Sequence, residues 1–119
     1  HVGYAGVLLE AGKAEEALAH LSHAIDIVSQ LVSQGQLALR PKLGSALAQR
    51  GLVRQGRGQK AEAAQDFEKA AEVFGLMGDF TEAAVWQEKS LLLSGPDARQ
   101  EAQSRLDHYR SGKPYPGSG

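Results

Sequence analysis

The sequence predicts an all-α fold of about six antiparallel helices joined by short turns. Apolar residues recur at three- and four-residue steps along most of the chain, which is the spacing of one face of a helix. Alanine, leucine, glutamine and glutamate are abundant while aromatic residues make up 6%, and this composition favours helix over sheet. No stretch shows the alternation of apolar and polar residues that is typical of a half-buried strand.

Glycine and proline divide the chain into these helices. The predicted helices cover about 1–11, 14–34, 42–55, 59–76, 79 to the break at Ser94, and 97–110. Gly35 is a natural left-handed stop for the second helix, and Pro41 fits the first turn of the third. Asp79 and Glu82 resemble a capping box at the start of the fifth. The pattern does not decide where the third helix starts, because Leu37 extends the apolar spacing towards the N-terminus.

The domain organisation follows from this division. Residues 1–110 are predicted to form one helical repeat domain of three hairpins, at about 1–34, 41–76 and 79–110, and the proline- and glycine-rich tail 111–119 is predicted to be disordered. The chain begins at His1 within a helical pattern, so we expect it to be a piece of a longer protein.

Composition and charge restrict the function. The chain has 119 residues and a formal net charge of −1, which provides no general attraction to nucleic acid or to anionic membranes. It has no cysteine, which excludes disulfides, thiolate metal sites and cysteine nucleophiles and fits a cytoplasmic, intracellular location. No run approaches the roughly 18 apolar residues of a membrane span.

A short motif, G-x3-E-A, occurs three times, beginning at Gly12, Gly58 and Gly78. A shift of 46 residues also superimposes two longer patterns. It carries Ala5, Ala17, Leu21, Ala24 and Val28 onto Gly51, Ala63, Phe67, Ala70 and Phe74. The helix from Gly58 to Phe74 is therefore one copy of an internal repeat. Because the third motif lies only 20 residues beyond the second, this helix is predicted to be a wall shared by two hairpins.

The repeated pattern resembles the tetratricopeptide repeat, in which a small residue and a glycine turn precede A-x3-F-x2-A on a second helix. The resemblance covers about residues 1–92. The period of 46 is longer than the usual 34 of that family, and Arg54 stands where the family has a large residue before the turn. At Gln87 and Ser90 the apolar face lapses, so we predict that the last two helices form a polar capping segment.

The resemblance implies an all-α solenoid that binds a peptide or helix of a partner protein in a groove lined by the first helix of each hairpin. The groove positions that it implies are Val2, Gly6, Leu9, Glu10, Ser45, Ala48, Leu52 and Gln55. One subfamily clamps the terminal carboxylate of heat-shock chaperones with asparagines and lysines. This chain has no asparagine, so that clamp is disfavoured.

Arginine and lysine accumulate in and around the third helix. No acidic residue occurs between Asp26 and Glu62, whereas Arg40, Lys42, Arg50, Arg54, Arg57 and Lys60 lie in this interval. We call these residues the basic strip. They either dock an acidic peptide, with nucleic acid the less favoured ligand, or they pair with Glu10, Glu15, Asp66 or Glu68 of neighbouring helices or are solvated. If they dock a partner, charge reversal at Arg50 and Arg54 is predicted to weaken capture without unfolding the domain.

Other candidate sites are weaker. Glu16, His20 and His23 share one helix side, a pattern that suits zinc, but they lie off the apolar stripe, where exposed histidines are common. No phosphate loop or nucleophile pattern is present, so we predict no enzyme activity, no metal and no cofactor. Trp86 is either a binding hot spot or, by preference, a residue packed under the last helix.

We therefore expect a non-catalytic scaffold or adaptor module that binds another protein, and neither nucleic acid nor a membrane. The candidate partner-binding residues are Leu9, Glu10, Ala48, Leu52, Gln55, Arg50, Arg54 and Arg57. The alternative function is assembly, in which the hairpins stack on further repeats or on a copy of themselves.

Overall fold

The computed structural model describes the backbone of residues 2–116 and the side chains of residues 12–116. Within this range the protein is all-α, as predicted, with no strand. The helices are α1 (Val2–Ser33), α2 (Arg40–Gly56), α3 (Lys60–Leu76), α4 (Phe80–Leu93) and α5 (Pro96–Arg110), and a short 3-10 turn, Leu37–Leu39, precedes α2.

The first two predicted helices form a single helix, so the prediction of a turn at Gly12 and of six helices is wrong. Gly12 lies inside α1. Its neighbours Ala11, Lys13 and Ala14 are strong helix formers, and an unbroken helix keeps the backbone hydrogen bonds that a turn would give up. Gly58, by contrast, lies in the connection between α2 and α3 and has φ 77°, a left-handed conformation that favours glycine.

Each helix packs against the next one along the chain in an antiparallel arrangement. Contacts run in opposite directions along α2 and α3, since Gly51 lies against Phe67 and Gly44 lies against Phe74. The helix α3 packs against both α2 and α4. It contributes Ala70 to a core cluster with α1 and α2 and Phe74 to a second cluster with α4 and α5. This is the packing that a shared wall requires.

Small residues on α2 allow the phenylalanine rings of α3 to approach its backbone. A Cβ atom at Gly51 would lie 2.6 Å from a ring carbon of Phe67, and one at Gly44 would lie 2.9 Å from Phe74. Real Cβ atoms do not approach ring carbons so closely. The two helices therefore need glycine at these positions to pack as they do.

Two polar residues of α4 lie inside the domain, which the sequence pattern did not predict. Gln87 and Ser90 have 0% and 2% of their surface exposed. Gln87 Nε2 donates a hydrogen bond to the carbonyl oxygen of Ala102 at 3.2 Å, and Ser90 Oγ donates one to the carbonyl oxygen of Ala64 at 2.8 Å. The apolar pattern does lapse at these two positions, but both side chains lie on the buried face of α4, where each donates to a backbone carbonyl oxygen. Gln87 Oε1 is buried with no hydrogen-bond partner among the described residues.

The start of α4 has the cap that the sequence predicted, but not the whole capping box. The Asp79 carboxylate accepts a hydrogen bond from the backbone N–H of Glu82 at 3.2 Å. The Glu82 carboxylate does not return to the cap and instead accepts a hydrogen bond from Trp86 Nε1 at 2.9 Å. Asp79 thus marks the start of α4 as predicted. The Glu82 carboxylate binds Trp86 rather than the cap.

Residues 111–116 leave α5 through a turn and fold back on it. The Tyr115 ring lies 4.4 Å from the Arg105 guanidinium and packs edge-on against His108, with 5.3 Å between ring centroids. Residues 111–119 were predicted to be disordered, whereas Tyr115 packs against α5. Residues 117–119 lie outside the described residues. None of the helices in the described range has the length and apolar character needed to cross a membrane.

Candidate partner-binding surface

The helix α2 has one side that the neighbouring helices leave open. Leu43, Leu47 and Gly51 face the core, whereas Ser45, Gln49, Leu52 and Gln55 are exposed. These four residues recur at three- and four-residue steps and so form one row along the helix. We call them the α2 outer row. The row carries no charge, and Leu52 is 43% exposed.

The predicted site residues on α2 differ in their environment. Leu52 and Gln55 belong to the α2 outer row. Ala48 is 3% exposed and belongs to the core cluster with Leu47, so it supports the row from beneath rather than presenting a side chain to a partner. The side chains of Leu9 and Glu10 lie outside the described residues, and their role stays a prediction.

Two arginines of the basic strip share one buried carboxylate. Arg50 binds Asp66 through two hydrogen bonds, Nη2 to Oδ1 at 2.8 Å and Nε to Oδ2 at 3.0 Å. Arg54 Nη1 donates a third, to Oδ2, at 3.0 Å. Asp66 is 1% exposed. Arg50 Nη1 also reaches Ser22 Oγ at 3.2 Å, so this cluster joins α1, α2 and α3.

Of the remaining residues of the basic strip, one is paired with an acid and three are not. Arg57 forms an ion pair with Glu15 of α1. Arg40, Lys42 and Lys60 form no ion pair with a described residue. Arg50, Arg54 and Arg57 are therefore paired within the domain, as one of the two alternatives expected. That they also contact a partner stays a prediction. The sequence did suggest Asp66 and Glu15 as partners, but it did not rank them above docking.

Trp86 lies where α4 meets α3. Its ring stacks on Phe67 with 5.6 Å between centroids and 19° between planes, and the Lys89 ammonium lies 6.0 Å from the ring centroid. Trp86 also packs against the core cluster that contains Ala48. Trp86 is thus packed rather than open to solvent, and it also packs against the second core cluster, which contains Tyr109 of the last helix.

Arg105 of α5 joins three parts of the chain. It pairs with Glu101 at 3.0 Å and with Glu68 of α3 at 3.5 Å, and Tyr115 covers its guanidinium. Burial by itself would lower the pKa of Arg105, but the hydrogen bond to Glu101 and the negative charges of Glu68 and Glu101 outweigh it and raise that pKa. Arg105 thus remains a permanent cation that holds α5 to α3.

The histidines of α1 form no metal centre in the described part of the chain. Glu16, His20 and His23 are all exposed, and no three histidine, cysteine or acidic residues in that part lie close enough to hold a metal ion. Two clefts of about 470 and 380 Å³ flank α3. The larger is lined by charges of both signs, Asp26, Arg50, Lys69 and Glu72, which favours no single class of ligand.

Compared with protein-family models, with curated proteins and with solved structures, the chain has no match. The tetratricopeptide resemblance therefore remains a prediction made from the residues of this chain.

Proposed function

We propose that this chain is a non-catalytic protein-interaction module that binds a peptide or helix of a partner protein along the α2 outer row. The observation that carries the proposal is that this row is uncharged and open, with Leu52 43% exposed. Tetratricopeptide-like hairpins, which the sequence resembles, bind partners on this side of their first helices.

The arginine cluster supports this choice of surface. Arg50 and Arg54 are both bound to Asp66, so both guanidinium groups are held inside the domain and one of their two charges is compensated there. Recruiting them to an acidic peptide would leave a buried carboxylate without partners, which is costly. Recognition through the apolar and amide side chains of the α2 outer row requires no such rearrangement.

The packing of α2 also favours binding. Its buried side is held by the rings of Phe67 and Phe74, which contact its backbone at Gly51 and Gly44. A helix held in this way presents a preformed surface. Binding therefore requires little further ordering of this chain.

Changing Leu52→Glu is expected to reduce partner capture by at least about tenfold, because it removes the apolar side chain of the α2 outer row and places a charge there. The measurement is quantitative affinity capture with the wild-type chain and the variant as baits, followed by titration of the protein captured by the wild type. Leu76→Glu is the matched control, since Leu76 is 36% exposed on α3 and outside the α2 outer row. Equal capture by wild type and Leu52→Glu would exclude this row as the binding surface.

The alternative function is assembly with further repeats or with a copy of this chain. It is favoured by two exposed apolar residues seven positions apart on α4, Val85 at 43% and Leu92 at 71%, because residues seven apart lie on one side of a helix. If this side stacks on another module, static light scattering is expected to show a mass that rises with concentration, and Leu92→Glu is expected to abolish the rise. A concentration-independent mass of one chain would contradict self-association.

A further inference from the structure

One lysine of the basic strip lies on the open side of α2 without an acid beside it. Arg40, Lys42 and Lys60 form no ion pair with a described residue. Lys60 is at the start of α3, where it lines the smaller cleft, and Arg40 is half-buried at the start of α2. Lys42 is exposed, so its ammonium group is available to a partner.

Lys42 continues the α2 outer row by one helical turn. It precedes Ser45 by three positions, and residues three or four positions apart are neighbours on a helix surface. The open side of α2 therefore changes in character along its length, from a cation at its N-terminal end to the apolar side chain of Leu52. Lys42 and Leu52 are separated by about 15 Å along the helix axis, at about 1.5 Å per residue.

The helix itself does not compensate the charge of Lys42. The first turn of α2 contains no acidic residue. The free backbone N–H groups of a first turn already make that end of a helix positive, so a lysine there slightly disfavours the helix. A negatively charged group of a partner at this position would offset both the lysine and the helix end.

Most acids of the neighbouring helices are engaged elsewhere. Asp26 and Glu72 line the larger cleft. The part of α2 that borders this cleft is Leu43, Leu47 and Arg50, on the side of the helix opposite the α2 outer row. The acids of α1, α3 and α4 that bind another described side chain are Glu15, Asp66, Glu68, Glu82 and Glu88. The charge of Lys42 is therefore left to solvent or to a partner.

We propose that the partner segment bound along the α2 outer row is acidic at one end, with a carboxylate that pairs with Lys42 and an apolar side chain that packs on Leu52. The inference rests on the function proposed above and adds the chemistry and spacing of the partner. In an extended segment the two groups are roughly four or five residues apart. Nucleic acid fits less well, because a phosphate chain is bound by several cations along its path and the α2 outer row has none.

Selection from a display library of random twelve-residue peptides tests this chemistry. The wild-type chain as bait is expected to enrich peptides with an aspartate or glutamate at that spacing from an apolar residue. Lys42→Glu is expected to enrich lysine or arginine there instead, because the charge at the end of the row is reversed. Lys69→Glu is the matched control, since Lys69 is an exposed lysine on the larger cleft, and it is expected to select the same peptides as the wild type.

The outcomes separate this inference from the proposed function. Peptides that bind the wild type and Leu52→Glu equally overturn the proposed function and this inference with it. Peptides that require Leu52 but carry no excess of acidic residues overturn the inference alone, as do peptides that Lys42→Glu captures as well as the wild type. Tighter binding of a single-stranded oligonucleotide than of the enriched peptides also overturns it.

Fluorescence anisotropy with an enriched acidic peptide measures the contribution of the charge. Lys42→Gln is expected to weaken binding about fivefold, the upper end for an exposed ion pair, and to remove most of its dependence on salt. The melting temperature of Lys42→Glu is expected to equal or exceed that of the wild type, since an acid favours this end of a helix. Weaker binding accompanied by a lower melting temperature in both variants would assign Lys42 to the fold and overturn the proposal.

Discussion

Replacing Phe67 with alanine is expected to lower the free energy of unfolding by about 3–5 kcal/mol, the usual cost of removing a buried phenylalanine ring. Phe67 is 0% exposed. Its ring contacts the α2 backbone at Gly51 and stacks on Trp86 of α4. The cavity left by the substitution therefore opens between three helices, and the glycine at 51 provides no side chain to fill it.

Urea unfolding measures this loss, and hydrogen exchange locates it. Because Phe67 touches both α2 and α4, protection is expected to fall in the α2–α3 pair and in the α3–α4 pair together. Leu76→Ala is the control, since Leu76 is on the same helix but 36% exposed, and we expect it to cost less than about 1 kcal/mol. Loosening confined to one pair would contradict the role of α3 as a shared wall.

Replacing Asp66 with alanine is expected to destabilise the domain by about 3–5 kcal/mol, the range for breaking a buried ion pair from one side. The carboxylate is 1% exposed and accepts three hydrogen bonds from Arg50 and Arg54. Its removal leaves two partly buried guanidinium groups without their acceptor. The arginines retain some contact with water, which places the expected loss at the lower end of this range.

The measurement is again chemical unfolding, with Asp26→Ala as the control at an exposed acid. Asp66→Asn is expected to cost less than Asp66→Ala, because the amide oxygen still accepts a hydrogen bond. Apolar replacement of Asp66, Arg50 and Arg54 together is expected to recover much of the stability, since well-packed apolar groups can replace a buried ionic cluster. Equal stability of Asp66→Ala and Asp26→Ala would mean that the cluster does not hold the helices together.

This cluster also changes one expectation from the sequence. Charge reversal at Arg50 and Arg54 was expected to weaken capture without unfolding. With Asp66 bound to both arginines, reversal would bring three carboxylates together in a part-buried site. Loss of the fold is therefore the expected result, and these two positions are unsuitable for testing partner binding.

Local signals were sufficient for the helices α2 to α5 and for most of their ends, but not for the continuity of α1 at Gly12. The apolar spacing along α3 predicted a helix over 59–76, and the structure has Lys60–Leu76. Asp79 caps α4, and Gly35, with φ 102°, follows α1. These features depend on residues within one or two turns of each other, so the sequence contains the information that decides them.

The candidate surface was only partly predictable. Leu52 and Gln55 are exposed on α2, where the resemblance placed them. The partner of Arg50 was not decidable, because Asp66 lies 16 positions away and its distance depends on how α2 and α3 pack. Trp86 and Glu82 share a helix side four residues apart, yet their hydrogen bond also depends on the position of the ring on Phe67.

The sequence by itself determined the all-α class, the helix-forming segments and the glycine turns at 58 and 78, because backbone preferences and apolar periodicity are local properties. The tertiary structure alone decided two things. It buried Gln87 and Ser90 against neighbouring carbonyl groups, and it bound the arginines of α2 to Asp66. Each depends on which helices are neighbours, and a single helix carries no record of what will pack against it.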